Sequence, residues 1–136
     1  MTIDSPRRPL PAINEMNSYF WCGGQDGRLH IQRCQTCGLY HHPYVARCSR
    51  CRSADLKPEP VSGRGTIASF TVNYQPWAAD LKVPYVIALI ELAEQSNIRL
   101  LSNLPTCPIE DVKDGMEVKV FFEQNGEIFL PQFEPL

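Results

Sequence analysis

Cys34-Gln35-Thr36-Cys37-Gly38 is answered downstream by Cys48-Ser49-Arg50-Cys51, with ten residues between Cys37 and Cys48. Each C-x-x-C pair sits on a tight turn that aims both sulfurs at one point. Two pairs at this distance therefore close four thiolates around one tetrahedral ion. Gly38, directly after the second Cys, supports the first turn, because that position calls for a left-handed backbone that Gly adopts without a Cβ penalty. Arg52 holds the matching place in the second turn, which is therefore either strained or shaped differently. Zn²⁺ is the expected metal, although iron in a rubredoxin-like site has the same S₄ geometry. Two disulfides or a redox pair are the competing readings, and the lack of a secretory signal argues against them. Four Cys ligands leave no open position for water or substrate, so the expected role of the metal is structural.

Upstream of the first pair, residues 1–25 read as a lead-in and a short helix. Pro6, Pro9 and Pro11, with Arg7 and Arg8, suit a flexible start. Ile13, Met16 and Phe20 then recur at helical spacing with Trp21 beside them, and Gly23-Gly24 ends the pattern. A helix of about ten residues is marginal alone, so its Met16, Phe20 and Trp21 side must dock on something. That surface is either the rest of the chain or a ligand path or subunit interface. Residues 26–62 form the ribbon. Leu29–Arg33 alternates as a strand entering the first Cys pair, Leu39–Val45 with His41, His42 and Pro43 joins the two turns, and Pro58 and Pro60 mark a linker outward.

From residue 63 to 136 the signals are those of a small β-domain. Thr66–Tyr74 alternates with Ala68, Phe70, Val72 and Tyr74 on the inner face, followed by an apolar strand over Pro84–Leu92 and a third over Ile98–Leu104. Met116–Phe122 places Met116, Val118, Val120 and Phe122 inward, and Asn125-Gly126 turns the chain into Ile128–Phe133. Between the third and fourth strands only a turn of helix around Ile109–Val112 fits. The expected fold is mainly β: a short N-terminal helix, a rubredoxin-like zinc ribbon, and a five-stranded OB-type barrel, an SH3-like barrel leaving a similar trace.

With 136 residues, 43% hydrophobic and 21% charged, the chain has the composition of a soluble globular protein. Its apolar runs are too short to cross a membrane, and the first eleven residues carry no apolar export signal, so a cytoplasmic protein with Cys22 and Cys107 as free thiols is expected. Charge is divided unevenly. Residues 28–64 hold seven Lys or Arg against two acids, whereas residues 65–136 hold four against ten. A basic ribbon with Arg47, Arg50 and Arg64 invites an anionic partner, either nucleic acid or the phosphates of a nucleotide-bearing ligand, and a solvated charged face is the plainer account. Catalytic signatures are lacking. All three histidines, His30, His41 and His42, lie in the ribbon, and there is no P-loop, no G-x-G-x-x-G after a strand and no H-E-x-x-H. Glu91 and Glu94 read as a solvated edge rather than an acid/base pair.

The order of these parts resembles the zinc-ribbon OB-fold acyl-CoA-associated family, long catalogued as a domain of unknown function. The resemblance rests on Tyr19-Phe20-Trp21 before the glycines, Arg33-Cys34-x-x-Cys37-Gly38, the Pro43 region and Cys48-x-x-Cys51. It continues through Ser62-Gly63-Arg64-Gly65-Thr66, Ser69-Phe70-Thr71-Val72, Pro84-Tyr85-Val86 with Glu91-Leu92, Gly115-Met116-x-Val118 and Leu130-Pro131-x-Phe133. Ser49 and Arg52 depart from it, where the family often has Pro and Gly. The resemblance implies a non-catalytic accessory subunit that binds acyl-CoA and associates with a thiolase-like enzyme or a MaoC-type enoyl-CoA hydratase. A thiolase-like aldolase of steroid side-chain degradation is its closest setting. The competing class is a single-strand nucleic-acid binder, which the acidic barrel region argues against. A purely structural assembly module differs from the first reading only in lacking a ligand.

Overall fold

The computed structural model describes residues 9–77 and 82–136, in two antiparallel sheets. In the first, β1 (Leu29–Cys34) lies between β2 (Tyr40–His41) and β3 (Leu56–Val61). Pro58 and Pro60, read from the sequence as a linker, are part of β3. They face Gln32 and His30 across the ladder, two residues apart, so both fall on the same phase of the antiparallel pairing. The intervening Lys57, Glu59 and Val61 supply the other phase, and an edge strand tolerates proline where no ladder N–H is needed.

The second sheet runs β6-β5-β4-β7-β8, with β4 (Arg64–Asn73), β5 (Tyr85–Leu92), β6 (Arg99–Ser102), β7 (Glu117–Asn125) and β8 (Ile128–Pro135). Its two end strands approach each other. Ser102 Oγ donates to the Pro131 carbonyl at 2.8 Å and the Phe133 N–H to the Asn103 carbonyl at 3.0 Å, so the five strands form a nearly closed barrel. A single 3₁₀ turn, Ile109–Asp111, bridges β6 and β7 as the spacing suggested.

Two further details differ from the sequence reading. Strand β4 does not keep one alternation: Gly65 and Ile67 are buried, Ala68 is exposed, and a β-bulge between Ile67 and Ser69 restarts the phase at Phe70 and Val72. One extra residue in a strand reverses which side chains face the core beyond it. Tyr74 lies past the strand's end and is exposed. The N-terminal helix is also shorter than the periodicity predicts: α1 spans only Ser18–Trp21, followed by a 3₁₀ turn at Gly23–Asp26. Asn14 Oδ1 accepts the N–H groups of Met16 and Asn17, and Asn17 Oδ1 accepts that of Asn14. These local bonds replace the helical ladder over residues 14–17. Met16 is left half exposed while Phe20 is buried.

Ribbon and barrel share one core. Leu29, Ile31 and Val61 belong to the same buried cluster as Ile67, Ile90, Val118 and Phe133. The junction is also pinned by polar contacts. Gln95, in the β5–β6 loop, accepts the Tyr40 N–H at 2.9 Å and donates to the Tyr40 carbonyl at 3.1 Å, and Glu94 accepts the Ser62 N–H at 2.7 Å. At Gly63 the backbone is left-handed (φ 77°) and pressed against the Val120 side chain, which leaves no room for a Cβ.

Candidate metal centre and barrel-seam cavity

The two Cys turns have the same construction. Gly38 donates its N–H to the Cys34 carbonyl at 2.9 Å and Arg52 donates to the Cys48 carbonyl at 3.0 Å. Both residues are left-handed, at φ 82° and 67°, so the second turn copies the first and takes the strain on a residue with a Cβ. The four sulfurs of Cys34, Cys37, Cys48 and Cys51 lie within 4.8 Å of one another. Cys34–Cys51 and Cys37–Cys48 are 3.5 Å apart. A tetrahedral ion with metal–sulfur bonds of about 2.3 Å needs sulfurs about 3.8 Å apart, so the set fits. The Leu39 backbone N–H at the Cys37 sulfur holds that thiol down at about 6. Cys51, although the Ser53 N–H favours its thiolate, is pushed up to about 12 by burial and the three neighbouring sulfurs. Crowded thiols of this kind give up their protons in sequence, and a divalent cation is what stabilises all four as thiolates.

Arg47 and Arg50 flank these turns. Arg50 donates to the Cys37 carbonyl at 3.0 Å and Arg47 to the Arg52 carbonyl at 3.2 Å, and both side chains are exposed with further N–H donors to spare. Arg64 lies elsewhere. It lines a surface cavity of about 350 Å³ at the foot of β4 and β7, in company with Glu91 and Glu117. Glu91 and Glu94 are occupied, the first by Arg99 at 3.3 Å and the second at the Ser62 N–H. Two of the three histidines are enclosed by packing. His41 is buried, and His42 stacks 4.7 Å from Phe20 and is held down to about 4 by burial. Cys107 is buried, and burial followed by the charges of Asp111 and Glu110 pushes its thiol up, which makes it a poor nucleophile.

Phe20 and Trp21 meet edge to face at 4.7 Å and form one wall of a second cavity, of about 200 Å³. Its other walls come from β6 and β8 where the barrel closes, with Leu101, Ser102, Leu130 and Gln132 among them. Of the six contact residues expected from the sequence, two therefore share this cavity, Arg64 lines the other, and Met16, Arg47 and Arg50 line neither. Gln132 escaped sequence reasoning because a glutamine in the last strand carries no signal until β8 is seen to be covered on both faces.

The sequence profile of the rubredoxin-like zinc ribbon domain of ChsH2 matches residues 21–57, and that of its C-terminal OB-fold domain matches residues 58–123. The structure described as "Ltp2-ChsH2(DUF35) aldolase" superposes with a TM-score of 0.83 at 34% identity, over 93% of this chain and 98% of that one. The chain belongs to the ChsH2 (DUF35) family. Two curated relatives carry hydratase names. The probable enoyl-CoA hydratase alpha subunit of Thermomonospora curvata is 36% identical over 94% of this chain and 40% of its own length. The 3-oxo-4,17-pregnadiene-20-carboxyl-CoA hydratase alpha subunit of Mycobacterium tuberculosis is 33% identical over 98% of this chain and 42% of its own length. The chain thus spans about two fifths of the length of these two relatives. Among the described residues no helix is long and apolar enough to cross a membrane.

Proposed function

We propose that this ChsH2-family chain is the accessory, acyl-CoA-binding subunit of a thiolase-like aldolase that cleaves a β-hydroxyacyl-CoA by a retro-aldol step, in the degradation of a steroid side chain. The observation that carries this reading is the superposition on a chain of the Ltp2-ChsH2(DUF35) aldolase structure, which spans nearly the whole of both chains. In this account a Zn²⁺ ion held by Cys34, Cys37, Cys48 and Cys51 fixes the ribbon and leaves no coordination site for substrate. The partner supplies the reacting groups. Among the described residues the buried thiol is raised, the carboxylates Glu91 and Glu94 are tied up, and no histidine faces a nucleophile across a hydrogen bond. The exposed Arg47 and Arg50 suit the phosphates of CoA, while Phe20 and Trp21 suit an uncharged part of the ligand.

The names of the two longer relatives favour a second reading, an accessory role beside a MaoC-type enoyl-CoA hydratase. Mixing separately purified chains decides between them. The expected result is that a thiolase-like partner cleaves a β-hydroxyacyl-CoA only when this chain is added. Hydration of an enoyl-CoA on mixing with a hydratase chain instead would move the role to the second reading. Full activity of the partner alone, or cleavage by this chain alone, would sink both. Metal analysis of the same preparation should give one zinc per chain, lost together with stability in Cys34→Ser.

A further inference from the structure

The cavity at the seam between β6 and β8 has an unusual chemistry. Its walls combine the apolar Phe20, Trp21, Leu101 and Leu130 with the neutral polar Ser102, Asn103 and Gln132, and none of the described residues that line it is charged. Gln132 is built into the wall with only 3% of its surface exposed, and its buried Oε1 meets no donor among the described residues. Ser102 adds to the imbalance, because its hydroxyl proton is committed to the Pro131 carbonyl at 2.8 Å and leaves acceptor lone pairs behind. A buried acceptor without a donor costs on the order of 1–3 kcal/mol. A leucine would fill the same strand position without that cost.

We propose that Gln132 is the specificity-determining residue of this cavity, which takes an uncharged hydrogen-bonding group, an amide or a hydroxyl, carried on an apolar stem. The volume of about 200 Å³ admits on the order of six or seven non-hydrogen atoms, at the roughly 30 Å³ that a water occupies in liquid. A carboxamide offers both an acceptor and donors, so a ligand amide or hydroxyl satisfies whichever end faces it. Linking this chemistry to a thioester ligand rests on the acyl-CoA reading above. Two parts of such a ligand qualify, the amide-bearing pantetheine arm and a hydroxyl on the acyl chain.

The test uses the full chain without any partner enzyme and without CoA phosphates, so its outcome is separate from that of the mixing assay. Ligand-observed NMR at millimolar concentration compares butanoyl-pantetheine, 3-hydroxybutanoyl-pantetheine and the plain thioester S-butyl butanethioate. Equal binding of both pantetheine thioesters above the plain one assigns the cavity to the arm; a preference for the 3-hydroxy compound assigns it to the acyl hydroxyl. In Gln132→Leu the favoured ligand should bind roughly tenfold more weakly while the plain thioester is unaffected. The same variant, and Gln132→Met beside it, should melt at a higher temperature than the parent, since an unpaired acceptor has been removed. A residue with a merely structural role would shift the melting point the other way. No binding of any probe, unchanged binding in Gln132→Leu, or a lower melting temperature in both variants would overturn the proposal.

Discussion

Arg52 carries the clearest single-residue strain in the chain. It is the one non-glycine with positive φ among the described residues, and its side chain makes no hydrogen bond or ion pair there. A left-handed backbone costs an L-residue about 1–2 kcal/mol, so Arg52→Gly is expected to raise the free energy of unfolding by about 1 kcal/mol, measured by denaturant titration. The place of this residue was legible in the sequence by its match to Gly38, but which way the conflict resolves was not: metal-turn geometry overrode local preference. His42 offers the opposite case, a residue whose role only packing reveals. Its ring is held neutral down to about 4 by burial against Phe20. The unfolded chain binds a proton near the ordinary histidine value, which the folded chain refuses. Its contribution is therefore complete above about pH 6.5 and is lost as pH falls towards 4, by on the order of 3 kcal/mol. Imidazole NMR titration should place the folded-state midpoint near 4, and a midpoint near 6.5 would show the ring to be solvated.

At the scale of elements, the points where sequence reading slipped share a cause. Periodicity identifies a strand, but it does not show a bulge, because the extra residue at Ala68 changes no residue type on either side. Prolines at 58 and 60 mimic a linker until their common ladder phase is known. The spacing of Ile13, Met16 and Phe20 suggests a helix, yet the side chains of Asn14 and Asn17 between them take backbone groups a helix would use. The strands of the barrel were legible because their apolar residues face one shared core, whereas the ribbon–barrel join depends on polar groups that look like loop residues. Gln95 is the principal one, with two hydrogen bonds to the backbone of Tyr40 across 55 positions of sequence. Gln95→Ala is expected to cost about 1–2 kcal/mol and to speed amide exchange at Tyr40 more than at the barrel strands. Unchanged exchange at Tyr40 would show that the shared core alone holds the two sheets together.

For the whole molecule the governing feature is the division of charge. The segment from residue 28 to 64 has seven basic residues against two acidic ones, and the segment from 65 to 136 has four against ten. The structure refines this. Arg33 is paired with Glu59 at 3.4 Å, and Arg64 shares its cavity with two carboxylates, which leaves Arg28, Arg47, Arg50, Arg52 and Lys57 exposed, with Arg47, Arg50 and Arg52 at the Cys turns. A single-strand nucleic-acid platform needs basic groups along the barrel face, and here the barrel is the acidic part. An anion that needs only a local contact, such as the phosphate end of CoA, has the turns to itself. On the acyl-CoA reading proposed above, the seam cavity, with no charged side chain among its described walls, takes the neutral end of the same ligand. The two ends should then respond differently to ionic strength. Raising salt from about 0.1 to 1 M shortens the screening length from about 10 to about 3 Å, so exposed arginines lose most of their reach while apolar contacts keep theirs. Binding of an acyl-CoA to this chain should therefore weaken several-fold across that range in calorimetry, and binding of the matching pantetheine thioester should not. In the triple variant Arg47→Gln, Arg50→Gln, Arg52→Gln the acyl-CoA should fall to the salt-independent level already at low ionic strength. Salt-insensitive binding of acyl-CoA, or single-stranded oligonucleotides that bind more tightly than acyl-CoA at low salt, would remove the phosphate contact from the account of this surface.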